Sequence, residues 1–253
     1  MFSAKERDAV RAAILEAAQS DARISGGAIT GSAAGGTQDE WSDVDVAFGV
    51  RQGSSVDSVL ADFTDLMYRR FDARHHVDVR VPSWIYRVFL LPSTLQVDIA
   101  VAPQAEFGAR SPRFRLAFGE AADLPPPSPA TAEGLIGLAW LLALHVRSSL
   151  ERGKLWSAEF FVSWLRDQIL ALACLRHGLP VTEARGVDQL PSEVARPFEE
   201  TLVRSLDRDE LGRAFMASVN RLLVEARLAD PTLADRIEPA LRETAGLALP
   251  TNR

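Results

Sequence analysis

The stretch GEAADLPPPSPATAEG, residues 119–134, divides the chain into two halves with different patterning. It holds four prolines among mostly small residues. Proline fixes φ and lacks an N–H, so such a run neither continues a helix nor enters the interior of a sheet. Before it, short runs alternate between apolar and polar residues or become wholly apolar, as strands do. After it, the apolar segments read throughout as helices. The expected fold is α+β, with a small mixed-sheet domain over 1–122 followed by an all-helical bundle over 123–253.

Within the first half, Val10, Ile14 and Ala17 place a helix over 4–21. GAITGS reads as a strand running into a tight turn, and DVDVAFGV as a strand buried on at least one face. SVDSVLADFTDLMYRRF carries an apolar stripe of Val56, Leu60, Phe63, Leu66 and Met67, with Ser55 as its N-cap. HVDVRV is a further strand, and IYRVFLL and LQVDIAVA form a hairpin around PST. In the second half, helices are expected over 131–151, 156–178, 191–206, 208–228 and 231–246.

Composition narrows the class. Of the 253 residues, 47% are apolar and 25% charged, as in a globular protein with a core of its own. The longest apolar run, GLIGLAWLLALHV over 134–146, is too short to cross a bilayer. The start, MFSAKERDAVRAAILEAA, is charged and amphipathic rather than a secretion signal. The lone cysteine, Cys174, excludes an internal disulfide framework, and its apolar surroundings mark a buried structural thiol. The expected location is cytoplasmic, with no membrane association. A net charge of −6 argues against a nucleic-acid polymer as partner, whose binding leans on cationic surface. Nothing in the sequence sets the oligomeric state, and a homodimer stays open.

The chemistry concentrates in GSAAGGTQDEWSDVDVAF, residues 31–48. Alternation along a strand puts Asp43 and Asp45 on one face. Two carboxylates that close cannot both ionise without a cation between them, and oxygen-only ligands suit Mg²⁺ or Mn²⁺. Asp98, framed by Val97 and Ile99 in an apolar strand, is a candidate third ligand, and Asp78 in a similar frame is its rival. Upstream, Gly31 permits a backbone turn closed to other residues. A helix starting after Ser32 would turn free N–H groups and the Ser32 hydroxyl towards a phosphate, with Gly35 and Gly36 keeping the approach open.

ITGS, then about ten residues, then DVDV, and later QVDIA together resemble the signature of the DNA polymerase β-type nucleotidyltransferase superfamily, over residues 25–103. The proline linker and helical second half resemble the small aminoglycoside and lincosamide adenylyltransferases. The resemblance implies that Asp43, Asp45 and Asp98 are catalytic and hold two Mg²⁺ ions, with Mn²⁺ as a substitute. It favours Asp98 over Asp78 as third carboxylate. Gly31 and Ser32 would bind the triphosphate of ATP or another nucleoside triphosphate. The implied reaction transfers a nucleoside monophosphate to a hydroxyl of a small acceptor, an antibiotic being the first choice. A protein or tRNA acceptor and a non-catalytic nucleotide-binding module are the alternatives.

In RSSLERGKLWSAEFFVSWLR, Arg147, Arg152, Lys154 and Arg166 gather in a short stretch. A triphosphate needs cations beyond its metals, so Lys154 is the expected phosphate contact, with the nucleotide bridging the halves. Glu133 and Glu159 are weaker candidates for contact with the acceptor. His75 and His76 lack a metal-ligand partner and read as a loop or strand-edge pair. Trp140, Trp156 and Trp164 are expected to fill the helical core.

Overall fold

The computed structural model describes residues 1–246. Contacts divide the chain into two compact units, the first Met1–Pro127 and the second starting at Ser128. Residues 247–253 of the expected helical domain lie outside the described residues.

The first unit runs α1 (Ala4–Ser20), β1 (Ile24–Thr30), α2 (Gly31–Ala34), β2 (Val44–Val50), α3 (Val56–Phe71), β3 (His75–Val81), β4 (Trp84–Leu90), β5 (Gln96–Pro103) and β6 (Phe114–Gly119). Ser55 caps α3 by accepting the Ser58 N–H at 3.2 Å. The six strands form one mixed sheet in the order β3-β4-β5-β2-β1-β6. Every neighbouring pair is antiparallel except β2 and β5, which run parallel with α3, β3 and β4 between them in the chain.

The two faces of the sheet differ in what they bury. On one, Val44, Val46, Phe48, Val97, Ile99 and Val101 pack with Val10 and Ile14 of α1 and with Leu60, Phe63 and Met67 of α3. Phe48 stacks on Phe63 with centroids 5.0 Å apart. This apolar contact fixes which side of β2 and β5 turns inward, because a slip of one residue would bury the polar set instead. The other face is floored by Ala28, Ala47, Ala100 and Ala102, with Trp84 and Phe107 packed on them.

The second unit comprises α4 (Ala132–Glu151), α5 (Leu155–Arg176), α6 (Ser192–Ala195), α7 (Arg208–Ala229) and α8 (Pro231–Gly246). Its core joins Val146 and Leu150 to Val162, Leu165 and Ile169 and to Phe215, Val219 and Leu222. Cys174 is buried within it. Two expectations fail here. The helix expected over 191–206 stops after Ala195 and continues as a 3₁₀ turn, Arg196–Thr201, where Pro197 withholds an N–H from the α-helical pattern. Trp140, Trp156 and Trp164 do not fill the core: they are 39%, 77% and 40% exposed. The buried stripe of α5 passes through Ala158, Val162, Leu165 and Ile169, and both tryptophans of that helix fall outside it. No helix among the described residues is long and apolar enough to cross a membrane.

Candidate active site

Val44 and Val46 are buried against the helices, so Asp45 between them turns to the opposite face of the sheet. Val97 and Ile99 do the same for Asp98. The parallel register of β2 and β5 then sets Asp45 directly beside Asp98. Asp43 comes two residues earlier, immediately before the same strand begins. One oxygen from each of Asp43, Asp45 and Asp98 lies within 4.8 Å of the other two, and all three residues are half-buried. Strands far apart in sequence thus bring three carboxylates to one point.

The crowding is visible in the proton affinity of Asp98. Burial pushes its pKa up to about 6; a hydrogen bond from the Gln96 amide opposes the rise, and repulsion from Asp43 adds to it. Gln96 donates from Nε2 to Asp98 Oδ1 at 3.0 Å and reaches Asp43 Oδ2 at 3.4 Å. The amide therefore spans two of the carboxylates, supplying a partial positive charge between them. Gln96 is absent from the sequence-based candidates, although QVD alternation already places it on the same face as Asp98. A set of hard carboxylate oxygens this close suits a small divalent cation, and it offers no soft donor.

Gly31 adjoins the cluster. Its φ is +63°, and a Cβ there would stand 1.9 Å from Asp45 Oδ2. Both the backbone and the carboxylate demand glycine. α2 begins at Gly31 itself, two residues before the expected start, and makes a single turn. The Ser32 Oγ is buried without a hydrogen-bond partner. A hydroxyl left so is costly unless something fills its valence, and a phosphate oxygen would. Gly36 has open space around its Cβ position.

Asp78 is occupied elsewhere. It faces Arg87 across the β3–β4 ladder, accepting from Nε at 2.6 Å and from the second terminal nitrogen at 2.8 Å. These bonds, joined by one from Arg80, hold the Asp78 carboxyl below its usual pKa against the opposing effect of burial. In the β4–β5 ladder Arg87 pairs with Ile99, whereas Val88 pairs with Asp98. Asp78 and Arg87 therefore project from the face that carries α3, where Arg87 also donates to Thr64 Oγ1 at 2.7 Å. His75 and His76 lie on β3, the edge strand, as expected.

The remaining candidates belong to the second unit. Lys154 is exposed and precedes the first residue of α5. Arg152 is exposed at the same turn, Arg147 is half-buried on α4, and Arg166 lies 3.9 Å from Asp167. Glu133 is exposed in the first turn of α4, and Glu159 accepts from Ser163 Oγ at 2.7 Å.

No family model matches the chain, and no curated protein matches it. Among solved structures it is similar to an aminoglycoside 6-adenyltransferase from Bacillus subtilis, at 13% identity and a TM-score of 0.43, over 98% of this chain and 99% of that one. A likeness of that size assigns neither activity nor substrate to this chain.

Proposed function

We propose that the chain is a divalent-metal-dependent nucleotidyltransferase that moves AMP from ATP to a hydroxyl of a small molecule, with hydroxylated antibiotics as the acceptor class. The observation that carries this reading is the meeting of Asp43, just before β2, with Asp45 and Asp98 on adjacent parallel strands, and with the Gly31–Ser32 turn pressed against Asp45. In this reading Asp43, Asp45 and Asp98 hold the ions, Mg²⁺ or Mn²⁺. Such ions, when bound, neutralise phosphate charge and polarise the reacting phosphoryl group.

The chain's own residues account for the other parts of the reaction. The Ser32 hydroxyl and the neighbouring backbone N–H groups donate to the β- and γ-phosphates and hold the triphosphate in line. Asp98 takes the proton of the acceptor hydroxyl as its oxygen attacks the α-phosphorus. The new P–O bond forms as the bond to the β-phosphate breaks, and pyrophosphate leaves. Dependence on a nucleoside triphosphate sets the reaction in the cytoplasm.

The test is incubation with ATP labelled at the α-phosphate, Mg²⁺, and a panel of antibiotics, tRNA and cell lysate. Label should move to a small acceptor with release of pyrophosphate, and EDTA should stop it. Transfer to tRNA or protein instead would change the acceptor class. Absence of transfer to every member, with no pyrophosphate release, would overturn the reading.

A further inference from the structure

Arg7 is 5% exposed and lies on the inward stripe of α1 with Val10 and Ile14. A buried guanidinium needs partners for its N–H groups, since an unpaired charge there is expensive. Arg7 finds them in one short segment. Its Nη1 donates to the main-chain carbonyls of Asp39 and of Ser42, the latter at 3.4 Å. With the Gln38 amide oriented so that its oxygen faces the helix, that oxygen accepts from Arg7 Nε at 2.9 Å and from Arg11 at 2.9 Å. Asp8 Oδ1 stands 3.4 Å from the same Nε.

Segment 38–42 leads straight into Asp43, and the Ser42 carbonyl belongs to the peptide that joins them. The segment has little core of its own, because Asp39, Glu40 and Trp41 are exposed. It is closed locally by the Asp39 carboxylate, which accepts from the Trp41 N–H at 3.0 Å and from Ser42 Oγ at 2.8 Å. Its attachment to α1 rests on the Arg7 and Arg11 bonds. The preceding residue of α1, Glu6, grips the other acid-bearing strand. Its Oε1 accepts from Ser93 Oγ at 2.6 Å, in the Leu91–Leu95 turn that runs into Gln96 and Asp98.

We infer that the first turn of α1 is a clamp on the acidic site, with Arg7 the positioning residue for Asp43 and Glu6 its counterpart towards Asp98. Arg7 touches no reacting atom. It sets where Asp43 stands relative to Asp45 and Asp98, and so governs affinity for the cation that those carboxylates share. This rests on the metal-dependent reading above. Partners one step removed from metal ligands typically change metal affinity by about 10–100-fold when replaced.

The experiment is a titration of the full-length chain with Mn²⁺ alone, followed by electron paramagnetic resonance well below the melting temperature, which is measured separately in EDTA. Wild type, Asp43→Asn, Arg7→Gln, Arg7→Lys and Ser93→Ala are compared. Arg7→Gln should weaken Mn²⁺ binding about 10–100-fold, Arg7→Lys should recover part of it, and Ser93→Ala should weaken it by less. Lower melting temperature with unchanged Mn²⁺ affinity in both Arg7 variants would reduce α1 to scaffold and overturn the inference. If Arg7→Gln does not fold, Arg7→Lys and Ser93→Ala decide, and wild-type affinity in both would be fatal to it. Failure of the wild type to bind Mn²⁺, or equal binding by Asp43→Asn, would instead sink the metal reading and the clamp with it.

Discussion

Replacing Asp98 by Asn in the metal-free protein should stabilise the fold at neutral pH. The Asp98 carboxyl titrates at about 6 in the folded chain against an ordinary 3.8, chiefly because it is buried. Ionisation is therefore harder in the folded state than in the unfolded one. The folded state holds its proton more tightly, so this group favours folding below pH 3.8, and that contribution is lost as pH rises through 6. The full gap corresponds to about 3 kcal/mol at pH 7. Asp98 retains some solvent access, and screening lowers the expected effect to about 1–2 kcal/mol. Asn keeps an oxygen for the Gln96 amide, so the hydrogen bond at 3.0 Å survives the exchange.

The assay is thermal unfolding in EDTA from pH 4 to pH 8, wild type against Asp98→Asn. At about 2–4 °C per kcal/mol for a chain of this size, the variant should melt about 2–8 °C higher at pH 7 and close to wild type near pH 4. Saturating Mg²⁺ should reverse the order, because binding to the folded state stabilises wild type and the variant has lost a ligand. A variant that melts at or below wild type in EDTA at pH 7 would refute the burial argument, as would parallel pH profiles. A variant that gained as much from Mg²⁺ as wild type would show that Asp98 does not hold the ion.

Asp43→Asn and Asp45→Asn should each abolish nucleotidyl transfer while leaving the far-ultraviolet circular dichroism intact; retained turnover in either, or in wild type with EDTA, would count against the metal site. Gly31→Ala forces a Cβ to 1.9 Å from Asp45 Oδ2 at a φ of +63°, so it should cost at least about 1–3 kcal/mol in unfolding free energy and displace Asp45, seen as weaker Mn²⁺ binding. Asp78→Asn should lower stability by about 1–3 kcal/mol through loss of the charge-assisted bonds to Arg87, with Mn²⁺ affinity unchanged. Lys154→Ala should weaken ATP binding by about 1–3 kcal/mol in an isothermal titration; a wild-type isotherm would leave the start of α5 as scaffold.

What the sequence makes readable, and what it hides, divides along a physical line. The α+β layout is readable because proline and periodicity act locally: the break at 119–134, the alternation of DVDV and the stripe of α3 each need only near neighbours. The carboxylate trio is readable because its information sits in side-chain type, and a charge framed by valine and isoleucine is costly to bury without a partner. The competition between Asp78 and Asp98 is not readable from spacing, since both occupy the same local frame. Register decides which of them stands beside Asp43 and Asp45, by pairing Arg87 with Ile99 and Val88 with Asp98, and so turning Asp78 to the opposite face. The exposed tryptophans show the same limit from the other side: helical spacing marks a stripe but not which stripe meets a neighbour.

Arg7 lies further out of reach. Its place at the head of the Val10–Ile14 stripe does signal burial, and a buried arginine implies acceptors. The acceptors it uses in segment 38–42, however, are mainly main-chain carbonyls, 32 and 35 residues away. Every residue carries such a carbonyl, so no residue type in the loop announces the contact. Side chains chosen for chemistry leave a trace that a single sequence preserves, whereas backbone acceptors chosen for position leave none. The positioning layer around Asp43 is therefore the part of this site that only coordinates reveal. Substitutions at Arg7 or Gln38 would disturb the carboxylates without changing any residue of the motif itself.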